Sequence, residues 1–137
     1  MGLDQYAYAV MPNEKNTDFG YIWTYDDDPE AVVQIAQWRK HADLQGWMEF
    51  LWAKKMKLNG EEVDQDDWSA FNCIPLRVTF QDLENLEKDV RGGNLPHTTG
   101  FFFGQSCEED IKDDLAFIEE ARNAIASDME IYYSSWW

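Results

Sequence analysis

The chain is poor in positive charge, histidine and cysteine, and it has no long apolar run. Each shortage removes a class of function. Lys and Arg number only 11 against 27 Asp and Glu, a formal net charge of −16. Phosphate contacts need cations in excess, so direct nucleic-acid binding through a basic face is excluded. No apolar run reaches bilayer length, so no membrane role is expected. The N-terminus, MGLDQYAYAV, lacks a basic region and carries Asp4, unlike a signal peptide. Gly2 follows Met1, but Tyr6 stands where myristoylation wants Ser or Thr. A soluble, cytoplasmic protein is expected. Its two cysteines, Cys73 and Cys107, are then reduced and inert.

The two histidines, His41 and His97, have no metal-type spacing with each other or with cysteine. Both read as surface or half-buried side chains, and no metal or other cofactor is expected. Cys107 lies near a helix start, but Glu108, Glu109 and Asp110 oppose a thiolate there. No G-x-S-x-G, H-E-x-x-H, Walker or dinucleotide fingerprint occurs. A non-catalytic protein is the expectation.

What is abundant points to a folded domain. Hydrophobic residues make up 45% of the 137, with 7 Trp, 6 Tyr and 8 Phe. That is too much apolar surface for an acidic disordered chain. The length suits one domain spanning 1–137.

Leu3–Met11 alternates and reads as a strand. Phe19–Tyr25 reads as a second strand, paired with the first as a hairpin. Asp28, Pro29 and Glu30 form a helix start, and the pattern from there to Leu58 is mostly helical. Leu44, Trp47, Met48, Leu51 and Trp52 share one helix face. Val32, Val33 and Ile35 leave Ala31–Trp38 open to helix or strand. Asn59–Asp67 is a polar acidic loop, expected to move. Cys73–Phe80 reads as a short strand. Thr79 caps a helix over Phe80–Val90, with Phe80, Leu83, Leu86 and Val90 inward and Gly92–Gly93 ending it. The Phe run framed by Gly100 and Gly104 suggests a buried strand or tight loop. Ser106 and Glu109 form a capping box for a last helix with Ile111, Leu115, Ile118 and Ile125 as its stripe. Asp128 onward closes the chain as a strand. The sum is an α+β fold, a mostly antiparallel sheet packed on about three helices.

Four segments also resemble a known family: MGLDQY at the N-terminus, WRK at 38–40 with Trp47 downstream, LPHTTGFFFG at 95–104, and YYSSW at 132–136. They are similar to the MGLDMY, YWRK, LPT-x-x-GFFFG and YY-x-SSW elements of a widespread family of small phage, prophage and bacterial proteins. The match covers nearly the whole chain. The resemblance implies a viral origin and, since the family has no established activity, little chemistry. Two departures stand out. A His frequent in the family between the WRK element and the following Trp is matched by Gln45, and the Thr after Leu-Pro is His97.

Two functions follow. The first is an acidic interaction protein that acts on a basic host or phage protein, in its sharpest form a DNA mimic. Asp26–Asp28, Glu61–Asp67 and Glu108–Asp114 supply its negative field; their ordinary reading is a solvated face. The alternative is a ligand-binding module or small enzyme with a pocket formed by Trp38, Arg39, Lys40, His97, Thr98 and Gly100. Arg39, Lys40, Lys54, Lys55 and Lys57 concentrate cations in that region, and a Trp beside an Arg suits a ligand. Tyr132, Tyr133, Trp136 and Trp137 offer aromatic surface for a homo-oligomer.

Overall fold

The computed structural model describes residues 2–21, 31–63, 70–96 and 108–137. In chain order its elements are β1 (Asp4–Val10), β2 (Val32–Arg39), α1 (Ala42–Leu58), β3 (Leu76–Val78), α2 (Phe80–Gly92), α3 (Glu108–Ala126) and β4 (Glu130–Trp136). The strands form one antiparallel sheet in the order β2-β1-β4-β3. This is the expected α+β fold.

The alternation of β1 decides its two faces. Gln5, Ala7 and Ala9 are buried, while Asp4, Tyr6 and Tyr8 are half-buried. Ala7, Ala9, Trp38 and Tyr133 share a core cluster with Leu44 and Met48 of α1, Leu83 and Leu86 of α2, and Phe117 and Ile118 of α3. The helices therefore cover that face. The Trp38 ring meets Phe117 edge-on at 5.1 Å, and Phe71 stacks between Trp52 at 5.3 Å and Tyr133 at 6.3 Å.

The expected hairpin is replaced by a different pairing. Both edges of β1 are taken, by β2 on one side and β4 on the other. Phe19–Tyr21 lies outside the sheet, and the rest of that segment lies outside the described residues. Instead Thr17 and Tyr21 brace β4. The Tyr132 hydroxyl reaches the Thr17 carbonyl at 2.6 Å, and the Tyr21 ring sits 4.9 Å from that of Tyr132.

Ala31–Trp38 resolves toward strand, as its β-branched residues permit. A helix from Asp28 to Leu58 is therefore ruled out, although 22–30 lies outside the described residues. Lys40, at φ 60, breaks the strand, and α1 begins after His41. Leu44, Met48 and Trp52 are buried on the expected face of α1, with Trp47 and Leu51 half-buried.

The second helix follows its local signals closely. The Thr79 hydroxyl accepts from the Asp82 amide, and the Asp82 carboxylate accepts from the Thr79 amide. Gly93, at φ 68, ends the helix in the left-handed conformation glycine tolerates best. Leu83, Leu86 and Val90 point inward, but Phe80 is half exposed. The strand before it is only Leu76–Val78, because Cys73 turns the chain at φ 63.

The stripe of α3 is rotated from the expected one. Asp114, Phe117, Ile118 and Ala121 are buried, Leu115 and Ile125 are half-buried, and Ile111 is exposed. Ser106 lies outside the described residues. β4 forms as expected and runs inside the sheet. Tyr132 and Tyr133 are fully buried, so they supply no association surface; Trp136 alone of the terminal aromatics is exposed.

Candidate functional site

The sheet register brings together three segments that are far apart in sequence. Gln5 lies opposite Trp38 on one side and Ser135 on the other, and Asp4 lies between Arg39 and Trp136. The MGLDQY, WRK and YYSSW elements thus form one cross-strand band.

Strand alternation then separates the expected pocket residues. Trp38 enters the core, while Arg39 points away and is largely exposed, its Nε 3.9 Å from Asp4. Lys40 is exposed at the turn. Trp38 and Arg39 therefore do not form a shared aromatic-cation pocket. His97, Thr98 and Gly100 lie outside the described residues. The cation concentration is also dispersed. Lys55 turns inward to the Arg77 carbonyl at 2.6 Å and Asp82 at 2.7 Å, while Lys54 and Lys57 stay exposed.

What the structure assembles instead is a buried polar corner centred on His41. This histidine is 2% exposed, in contrast to the surface or half-buried position expected for it. Its backbone N–H donates to Gln5 Oε1 at 2.9 Å, and its carbonyl accepts from Gln5 Nε2 at 3.0 Å. Gln5 Nε2 also reaches the Tyr133 hydroxyl at 2.9 Å, and that hydroxyl donates to Gln45 Oε1 at 2.6 Å. The N-terminus of α1 is thereby fastened to β1 and β4.

The ring of His41 binds α3. Nε2 lies 2.8 Å from Asp114 Oδ2, and Nδ1 lies 3.7 Å from Asp110 Oδ2. Asp110 and Asp114 are four residues apart, which puts both on one face of α3. Asp114 is fully buried, so the acidic run Glu108–Asp114 is not wholly the solvated face expected. Burial raises the pKa of Asp114, and the His41 hydrogen bond opposes this. Burial also pushes the Tyr133 hydroxyl far above the tyrosine range, so it is a permanent donor.

Chemically, His41 and Asp114 resemble a base with its orienting carboxylate. Yet the pair is sealed from solvent and both ring nitrogens face carboxylates. Its evident work is to hold α1 on α3. A signal for Asp114 was present in the sequence: it shares a helical face with Phe117, Ile118 and Ala121, where an acid requires a partner. Nothing local marks His41 as that partner.

The remaining charges are unevenly paired. Arg77 reaches Glu130 at 2.7 Å and lies over the Tyr132 ring. Arg122 makes a two-pronged contact to Glu87 at 3.1 and 3.2 Å, which lowers the Glu87 pKa. By contrast, Glu109, Asp113, Glu119 and Glu120 lie exposed along α3, with Lys112 the one exposed cation among them. Among the described residues no group of three or more His, Cys, Asp or Glu side chains is placed to hold a metal. Cys73 is free and exposed, and Cys107 lies outside the described residues. No helix of the described residues is long and apolar enough to cross a membrane.

The chain matches no family model, no curated protein and no solved structure. The likeness to the phage family therefore rests on its four sequence segments.

Proposed function

We propose that the protein is a non-catalytic acidic interaction protein, of phage type, that docks on a basic surface of a host or phage macromolecule in the host cytoplasm. The observation that carries this reading is how the charge is divided. Lys55, Arg77 and Arg122 are bound to carboxylates of the fold itself. The exposed carboxylates of α3 keep their field for the solvent, where it steers a cationic partner. A partner that binds DNA is the natural target, since spaced carboxylates occupy a groove built for phosphates.

Capture from host lysate at about 50 mM and about 500 mM salt tests this, because a field of this kind is screened over roughly 10 Å or less. The expected result is a basic partner retained at low salt, released at high salt and competed away by DNA. Retention of only salt-insensitive partners overturns the reading.

A second reading, a ligand-binding module or small enzyme near the WRK element, is favoured by one observation. His41, hydrogen-bonded to Asp114, directly follows Lys40. On that reading His41→Gln abolishes ligand binding while the chain stays folded. On the docking reading it weakens the fold and leaves the salt-sensitive partner bound to the folded fraction.

A further inference from the structure

The two edges of the sheet are built differently. β3 is a closed edge. It is three residues long, its Arg77 N–H donates to the Asp18 carbonyl at 2.8 Å, and the Arg77 side chain pairs with Glu130. A short, charged and covered strand is a common way to keep an edge from pairing with another chain. β2, at the opposite edge, has none of these features. It is eight residues long, and residues 31–38 hold no proline and no ionisable side chain. Among the described residues no strand lies beyond it, and Val33, Gln34, Gln37 and Arg39 are exposed.

The backbone of β2 shows which groups this edge offers. At one end the Lys40 N–H donates to the Leu3 carbonyl at 2.8 Å, and at the other the Ala31 carbonyl accepts from the Met11 N–H at 2.8 Å. In an antiparallel ladder the residues that alternate with such bonded ones turn their N–H and C=O the other way. Counted by twos from each end, Val32, Gln34, Gln37 and Arg39 face away from β1. The odd step between Gln34 and Gln37 comes from a bulge. Ala7 pairs with Ala36 and Tyr8 with Gln34, so Ile35 is the extra residue.

That bulge makes the edge self-complementary. The four outward residues sit opposite Val10, Tyr8, Tyr6 and Asp4, evenly spaced along β1 and on one face of the sheet. Their steps along β2 are two, three and two residues, the same from either end. A second β2 laid antiparallel therefore meets every outward residue with an outward residue. Val32 falls opposite the second copy's Arg39, and Gln34 opposite the second copy's Gln37, with side chains on matching faces. Such a ladder carries up to about eight backbone hydrogen bonds. Charge favours the same arrangement. A chain of net charge −16 repels its own copy, and this edge offers both an uncharged line of contact. The two Arg39 side chains lie at opposite ends of the pair and do not meet.

We propose that β2 is a homodimer edge, through which two copies of this chain pair antiparallel and join their sheets into one. The contact uses β2 and leaves the docking face on α3 free.

Sedimentation of the full chain tests it. One strand pair makes a small, weak interface, so a shift from monomer to dimer is expected between about 5 µM and about 500 µM. Salt screens repulsion between the copies, so the dimer is expected to tighten several-fold from about 50 mM to about 500 mM salt, the reverse of the effect on a basic partner. Gln34→Glu with Gln37→Glu sets like charges opposite each other twice and is expected to weaken the dimer at least tenfold. Gln34→Lys with Gln37→Glu sets opposite charges there and is expected to restore it. Both positions are exposed, and melting temperatures within a few degrees of wild type show that the variants fold. A chain that stays monomeric throughout, a dimer that salt loosens, or one indifferent to both pairs of substitutions overturns the proposal.

Discussion

The two faces of α3 use the same residue type for opposite ends. Inward, Asp114 is fully buried and bonded to His41 at 2.8 Å. Outward, Glu109, Asp113, Glu119 and Glu120 stand in water. A carboxylate in the interior is costly unless paired, so the inner one is tied to a specific partner and fixes where α1 meets α3. A carboxylate in water is nearly free to keep and acts at a distance. The net charge of −16 is thus not one property: Asp114 and the carboxylates that hold Lys55, Arg77 and Arg122 build the fold, while the exposed carboxylates of α3 face solvent.

The sharpest way to break this comparison is Asp114→Ala. It removes the closest carboxylate that His41 has among the described residues, leaving Asp110 at 3.7 Å, and is expected to cost about 3–5 kcal/mol in urea unfolding. A loss below about 1 kcal/mol would make the inner acid equivalent to the outer ones. Tyr133→Phe comes next. It deprives Gln5 and Gln45 of a shared partner and should cost about 1–3 kcal/mol by the same measurement.

The pH dependence is subtler. Burial holds the folded pKa of Asp114 above its ordinary value of 3.8. Between the two values the folded chain keeps a proton that the unfolded chain releases. The contribution is therefore full below the ordinary Asp range and is lost as pH rises through the folded pKa. The stability of wild type relative to Asp114→Asn is expected to fall as pH climbs out of that range; a rise would reverse the assigned cause. The smallest effect belongs to the outer face. Glu120→Gln is expected to change stability by no more than about 0.5 kcal/mol in thermal unfolding.

The same contrast explains which parts were legible in the sequence. Local signals carried through. Thr79 and Gly93 bracket α2 because a cap and a left-handed terminus are written in adjacent residues. The apolar face of α1 and the closing strand were readable from their own periodicity. Non-local choices were hidden. Phe19–Tyr25 has strand character, but the neighbours of β1 are set by pairing with residues 32–39 and 130–136. The end of β2 depends on Lys40 adopting φ 60, which its residue type does not announce. The apolar residues of α3 alone point to a different stripe, because the buried face includes Asp114. Of the pocket residues read from the sequence, Trp38 does border the buried corner, but through its core position and not beside Arg39. His41 and Gln45 gain their roles from Asp114 and Tyr133, distant residues that only the fold supplies.

The separation of the two faces is tested most directly by one variant carrying Glu109→Gln, Asp113→Asn, Glu119→Gln and Glu120→Gln, compared with wild type for melting temperature and for capture of the salt-sensitive basic partner. The expected result is a melting temperature within a few degrees of wild type and at least a tenfold loss of captured partner, roughly 1.4 kcal/mol or more of binding free energy. Undiminished capture, or a chain that no longer folds, would contradict the division of α3 into a face that builds and a face that binds.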